Sequence, residues 1–409
     1  MVRDTKVRAI ATATCCVVLC EAGAQTFRYR VTPIANPLVA ANRVFANAIN
    51  NRGEVVGVAE GSPNRPILFR PGIGTTVLPV PTGYSVSTPT DINDAGVIVG
   101  YCLSSVVSEE PRGWKYENGQ FSLFPVRTFA HAINNSGVVA GRGCWTSAFT
   151  PYFGCYFSDA PGDPAPDTYF GSANSYPVSE WRFADINDAG DIAFTAVSTM
   201  PGQVRNADGS VVSITGPTAP YVRSFVWGLN NSRQVIARWE YNVGSQYYSR
   251  GFIWSEATGA QVIGIPGLHV RPKGINNLGH VVGESGGNQN SYLDMWLWTP
   301  AGGNEDLEPL VDPAEAINLV GVGGINDAGQ ILVRGLRLNQ GGANVTCILT
   351  PVVPPCSADF NRDGVLDFFD YLDFVVAFSD NLPSADFDGD GVVDLFDYLD
   401  FVAAFSAGC

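Results

Sequence analysis

Ala48-Ile-Asn-Asn-Arg-Gly-Glu-Val-Val-Gly57 is the stretch on which the fold turns, because the chain repeats it seven times. The later copies are Asp91–Gly100, Ala132–Gly141, Asp185–Phe194, Gly228–Ala237, Gly274–Gly283 and Gly324–Val333. From Ile49 to Ile325 the phrase advances in six steps with a mean period of 46 residues. Its chemistry is that of a tight hairpin. A short apolar strand reaches Ile-Asn, and Asn or Asp side chains then cap their own backbone. Gly takes the left-handed position of a type I turn with a G1 bulge, and a β-branched strand leaves. The fifth copy has Arg233 at the glycine position, so strain is expected there.

An aromatic-aliphatic strand follows most hairpins: Pro66–Arg70, Gly113–Tyr116, Cys155–Phe157, Gly251–Trp254 and Met295–Trp298. A Gly-rich turn and a fourth strand come next, as at Gln120–Phe124 and Gln261–Ile265. Four strands in about 46 residues make one propeller blade. The seventh repeat has a third strand, Val345–Leu349, but runs into Pro351, Pro354 and Pro355 without a fourth. The segment Phe27–Ile34 is a strand with no hairpin before it. Adding it to the last blade would pair two exposed edges at once. A seven-bladed, all-β propeller over 25–351 is therefore expected. A stacked solenoid, or a six-blade ring with one degenerate repeat, is the alternative. The phrase and its aromatic strand resemble the HAF-type extracellular repeat family. That resemblance covers 27 to 351 and implies export and repetition, with no catalytic residues to transfer.

The ends of the chain differ from its middle. Arg3, Lys6 and Arg8 precede the apolar run Ala9–Cys20 and the small residues Ala22-Gly23-Ala24. This is the pattern of an export signal over 1–24, too short to span a bilayer, and it predicts a secreted or cell-surface protein. Six cysteines would then remain: Cys102, Cys144, Cys155, Cys347, Cys356 and Cys409. An even number in an exported chain suggests disulfides, with 15 full pairings open. Cys356–Cys409 and Cys144–Cys155 are the expected bridges, leaving Cys102 and Cys347 as a pair or as free thiols.

Beyond the proline linker 352–355, residues 356–409 hold twelve Asp and one basic residue, Arg362. So dense an acid cluster repels itself unless cations bind. Asp359, Asn361, Asp363, Asp367 and Asp370 occupy positions 1, 3, 5, 9 and 12 of a calcium loop, with Gly364 at the sharp turn and the Val365 carbonyl at position 7. Asp386, Asp388, Asp390, Val392, Asp394 and Asp397 repeat the set 27 residues later, with Gly391 at the turn. Both loops match the EF-hand pattern except for Asp at the last position, so two Ca²⁺ ions are expected. Apolar helices should follow at Tyr371–Phe378 and Tyr398–Phe405.

This paired arrangement, flanked by Cys356 and Gly408-Cys409, resembles the GC-type dockerins of exported planctomycete proteins. The resemblance covers 356–409 and implies a cohesin-like or cell-surface attachment partner. By position the contacts would be Phe368, Phe369, Leu395 and Phe396, with core burial the alternative for at least two of them. The propeller would offer a glycan or protein ligand site. The net charge of −15 argues against a nucleic-acid partner.

Catalysis is not signalled. His131 and His280 border the hairpin turns of repeat phrases and fit ordinary strand positions, while His269 lies between strands. Asp91, Asp94, Asp185, Asp188 and Asp327 recur at matching positions and read as turn chemistry. Glu109, Glu110 and Glu240 are the least explained acids. A non-catalytic secreted protein is the main expectation, and a polysaccharide-active hydrolase or lyase the alternative.

Overall fold

In the computed structural model the described residues are 28–39, 43–103, 111–126, 128–144, 152–157, 168–172, 182–195, 201–216, 223–243, 246–287, 294–352, 358–360, 366–388 and 391–407. The expected signal 1–24 lies outside them, as do Glu109, Glu110, Cys356 and Cys409. The repeat region forms a β-propeller arrangement built from seven four-stranded antiparallel sheets. The first runs Val44–Ile49, Val55–Ala59, Arg65–Arg70 and Gly74–Val77, each strand pairing with the next. Five more sheets repeat that order along the chain.

The last sheet is composite. Ile317–Ile325, Ile331–Arg337 and Ala343–Pro351 come from the seventh repeat, and Tyr29–Ile34 adds itself along Ala343–Pro351. Tyr29 lies opposite Pro351 and Ile34 opposite Thr346. The expected pairing of the N-terminal strand is therefore present, and it satisfies both edges.

Each phrase makes the expected turn. In the first, Gly53 N donates to Asn50 O at 3.0 Å and Asn50 N to Glu54 O at 3.0 Å. Arg233 adopts φ +59°, the same left-handed region as the glycine it replaces. Its Nε sits 3.2 Å from Asp191 Oδ2, which offsets part of the strain.

A second irregularity was not foreseen. In every sheet the innermost strand carries a bulge just before the phrase, for example between Ala46 and Ala48 and between Pro272 and Gly274. The bulge leaves one residue per sheet outside the register of rungs: Asn47, Thr90, His131, Ala184, Trp227, Lys273 and Gly323. Several of these reach the next sheet. Asn47 Nδ2 donates to Pro89 O at 2.6 Å, and Thr90 Oγ1 to Ala130 O at 3.0 Å. Lys273 Nζ lies 5.4 Å from the Trp227 ring centre.

The residue ending the phrase faces the third strand, and in two sheets a glycine there makes room for a tryptophan. Gly100 opposes Trp114 and Gly283 opposes Trp296, whereas Ala237 opposes Phe252 and Val333 opposes Cys347. A Cβ on Gly283 would lie 2.1 Å from Trp296 and 2.7 Å from Arg271 O. Gly283→Ala should therefore cost about 1–3 kcal/mol through overpacking, and Trp296→Leu in the same chain should recover part of it. Chemical denaturation of the two variants checks this; a single substitution as stable as the parent contradicts it.

One expected disulfide is corrected. Cys155 pairs in register with Gly141, and Cys144 with Tyr152, three rungs away. At about 3.4 Å per residue that offset exceeds the Cα separation a disulfide tolerates. Cys102 and Cys347 are buried free thiols, and burial pushes both up to about 12.

Residues 358–407 build a separate small core on two helices, α1 (Phe368–Ser379) and α2 (Leu395–Ala407). The helices begin three residues earlier than expected, at Phe368 and Leu395. Asp367 supplies the reason: it caps α1, accepting from Phe369 N at 2.8 Å, while Asp370 accepts from Asp367 N at 2.9 Å. Residues 27 apart meet on a pseudo-twofold axis. Phe374 and Phe401 stack at 3.8 Å, and the Tyr371 and Tyr398 hydroxyls lie 2.9 Å apart.

Candidate functional site

Loop 386–397 gathers acidic side chains where α2 begins. The carboxylates of Asp386, Asp388 and Asp397 each offer an oxygen within 4.8 Å of the others. Asp397 is fully buried. Its Oδ1 accepts from Phe387 N at 2.6 Å and Asp388 N at 3.1 Å, and its Oδ2 from Asp394 N at 2.7 Å. The Asp394 amide first, then those of Asp388 and Phe387, hold this carboxyl below its ordinary range, so it stays ionised. Asp386 Oδ2 accepts from Gly391 N at 2.9 Å, and Gly391 takes φ +90°, as its turn position requires.

Asp386 Oδ1 is buried with no hydrogen-bond partner. Three clustered carboxylates with one orphaned oxygen are costly unless a cation joins them. The donor set, all hard oxygen, fits Ca²⁺.

The remaining expected ligands are placed unevenly. Asp394 accepts from Phe396 N at 2.8 Å and so caps α2, as Asp367 caps α1. Asp370 is fully buried. Asn361, Asp363, Val365 and Asp390 lie outside the described residues, while Asp359 and Val392 lie within them. The four expected contact residues are not core: Phe368, Phe369, Leu395 and Phe396 are 64%, 65%, 64% and 65% exposed.

The propeller centre is organised by two rings that the phrase alone did not disclose. In the inner ring, each third-position Asn donates its Nδ2 to the carbonyl of its counterpart in the next sheet. The chain of donors runs Asn50, Asn93, Asn134, Asn187, Asn230, Asn276 and Asn326, whose Nδ2 closes the ring on Asn50 O at 2.8 Å. All seven are buried, at 3–5% exposure.

The outer ring uses the fourth position: Asn51, Asp94, Asn135, Asp188, Asn231, Asn277 and Asp327. Every Asp Oδ2 receives amides from the Asn on each side; Asp94 takes Asn51 at 2.9 Å and Asn135 at 3.0 Å. No two Asp are neighbours. An odd ring must contain one like pair, and here it is the neutral Asn231 and Asn277, joined at 2.8 Å.

Asp91 and Asp185 line the channel inside these rings. Each staples two sheets: Asp91 accepts from Ile92 N and Ile133 N, and Asp185 from Ile186 N and Leu229 N. Burial pushes both carboxyls up to about 7, and Asp185 adds to the rise at Asp91. A folded pKa above the unfolded one means that the folded state holds extra protons. Stability should therefore fall as pH rises from about 4 through 7. Thermal melts of the parent and Asp185→Asn test the sign: the variant should show a flatter pH slope, and a parent stability that climbs from pH 5 to 8 would contradict it.

The histidines take three different places. Burial pushes His131, a bulge residue, down to about 3. His280 lies in its turn rather than on a strand, its N–H donating to Asn276 Oδ1 at 2.9 Å. His269 meets Glu240's neighbourhood: Ser249 Oγ lies 3.3 Å from His269 Nδ1, Tyr247 stacks on the ring, and Glu240 is the cross-strand partner of Ser249. Ser249 is fully buried, and Glu240 bonds Arg238 at 2.5 Å.

No family model matches the chain, and no curated protein matches its sequence. Solved structures do share its fold. A streptogramin B lyase aligns at TM-score 0.50 and 11% identity over 80% of this chain and 100% of that one. Virginiamycin B lyase from Staphylococcus aureus gives 0.46 and 12% over 81% and 97%, and TolB from Acinetobacter baumannii 0.39 and 11% over 76% and 79%. The first of these likenesses shows the propeller fold.

Proposed function

We propose that the chain is an exported, non-catalytic binding protein, a seven-bladed propeller carried by a calcium-dependent attachment module resembling a dockerin. The convergence of Asp386, Asp388 and Asp397 around an orphaned buried oxygen carries this reading. The seven sheets serve as seven blades, supported by the seven-membered Asn ring. Asp359, Asn361, Asp363, the Val365 carbonyl, Asp367 and Asp370 would hold one Ca²⁺, and Asp386, Asp388, Asp390, the Val392 carbonyl, Asp394 and Asp397 the other. The ions would act structurally, neutralising the loops so that α1 and α2 can pack.

Phe368, Phe369, Leu395 and Phe396 then stand ready for a cohesin-like or cell-surface partner. Large apolar side chains paired across a pseudo-twofold are a contact surface more readily than a solvated one. The propeller presents glycan or protein binding surface, and the complete burial of Ser249 supports reading its contact with His269 as packing. Among the described residues no helix is long and apolar enough to cross a membrane. Calcium titration of the chain lacking 1–24, followed by calorimetry, should reveal two ions. Asp386→Ala/Asp388→Ala should bind one, and a parent that binds none sinks the reading.

A further inference from the structure

Between the first and second sheets lies a cavity of about 400 Å³, lined by Arg52, Arg70 and Tyr116 among others. Glu54 sits behind it, buried, and fixes both guanidinium groups. Its Oε2 receives Asn50 Nδ2 at 2.8 Å and Arg52 Nε at 3.1 Å, and its Oε1 receives Arg70 Nε at 3.0 Å. Burial alone would raise this carboxyl, but the bonds from Asn50, Arg52 and Arg70 outweigh it and keep Glu54 ionised. The cavity's other acid, Glu117, is paired with Lys115 at 3.3 Å. One positive charge is therefore left over, and among the described residues the guanidinium of Arg70 bonds only through Nε.

The repeats supply an internal comparison. Where the first phrase has Arg52, the others have Ala95, Ser136, Ala189, Ser232, Leu278 and Ala328. Where its third strand ends in Arg70, the corresponding residues are Glu117, Asn206, Ser255, Thr299 and Thr350. Neither position needs a basic residue to build a blade, yet this blade has one at both.

We propose that this cavity binds a carboxylate-bearing sugar, its carboxylate held by the terminal nitrogens of Arg70. A planar guanidinium, pre-positioned through Nε, suits bidentate capture of a carboxylate. The volume is that of a small-ligand site. The walls are mainly polar, with Asn118, Glu117, Gly96 and Gly119 among the lining residues, which matches hydroxyl groups better than an apolar body.

The proposal rests on the propeller being a binding domain, and it does not depend on the calcium module. Saturation-transfer NMR on the full chain with glucuronate, glucose and acetate tests it. Glucuronate should bind, glucose and acetate should bind at least about tenfold more weakly, and Arg70→Met should lose about tenfold in glucuronate affinity. Arg70 is a surface side chain and Glu54 keeps Asn50 and Arg52, so the variant should melt with the parent. Equal glucuronate binding by the parent and Arg70→Met overturns the site, and acetate or glucose binding as well as glucuronate overturns the ligand class. Calcium titration of the same sample reports separately on the attachment module.

Discussion

Replacing Asn326 by Ala should destabilise the propeller by about 3 kcal/mol, whereas Asn51→Ala should cost under about 1 kcal/mol. Asn326 closes the inner ring. Its Nδ2 reaches Asn50 O at 2.8 Å across 276 residues of sequence, and its Oδ1 accepts from Gln330 N at 2.8 Å. Removing the side chain deletes three hydrogen bonds: the Nδ2 donations to Asn50 O and to Gln330 Oε1, and the one accepted from Gln330 N. Asn50 O keeps Gly53 N, so each loss is that of an ordinary bond worth about 1 kcal/mol. Asn51 makes as many bonds in the outer ring, but it is exposed and water can replace them. Equilibrium unfolding in urea separates the two. Equal losses would mean that the inner ring decorates a structure already closed by Tyr29–Ile34.

That contrast marks the boundary between what the residues disclosed and what they withheld. The phrase announced its own turn because Asn, Gly and the β-branched exit act within a few residues of one another. The same Asn side chains also bond the neighbouring sheet, 41 to 53 positions away and 276 at the closing bond, and nothing local records that second task. The inner-strand bulges were hidden for a related reason, since a bulge exists only relative to a partner's register. Register also decided Cys144 and Cys155: which rungs align is a property of the strand pair, and the spacing of the two cysteines along the chain left it open.

The proposed calcium loops were legible because their candidate ligands and glycine lie close together in sequence. The second use of Asp367 and Asp394 as helix caps was not, although the Asp-x-x-Asp spacing of Asp367 with Asp370 and Asp394 with Asp397 is a capping pattern in its own right. Glu240 and His269 were singled out separately, and only strand pairing with Ser249 brought them together.

Chelation should split the thermal unfolding of the chain lacking 1–24 into two transitions, one calcium-dependent and one not. The buried residues Ala358, Phe374, Ala377, Ala385 and Phe401 form a core of their own, so residues 356–409 have the means to melt separately. That core is small, and small cores rarely hold without a metal or a crosslink. At free calcium a thousandfold above the dissociation constant, each bound ion would add about 4 kcal/mol to the folded module. Chelator should therefore abolish most of the helical signal of α1 and α2, while the propeller transition stays in place, its acidic phrase residues already satisfied by Asn amides. Asp386→Ala/Asp388→Ala should move the first transition downward in calcium and leave the second unchanged. Helical circular dichroism that persists in chelator, or a propeller transition that falls with it, would show that the two acidic loops do not owe their order to calcium.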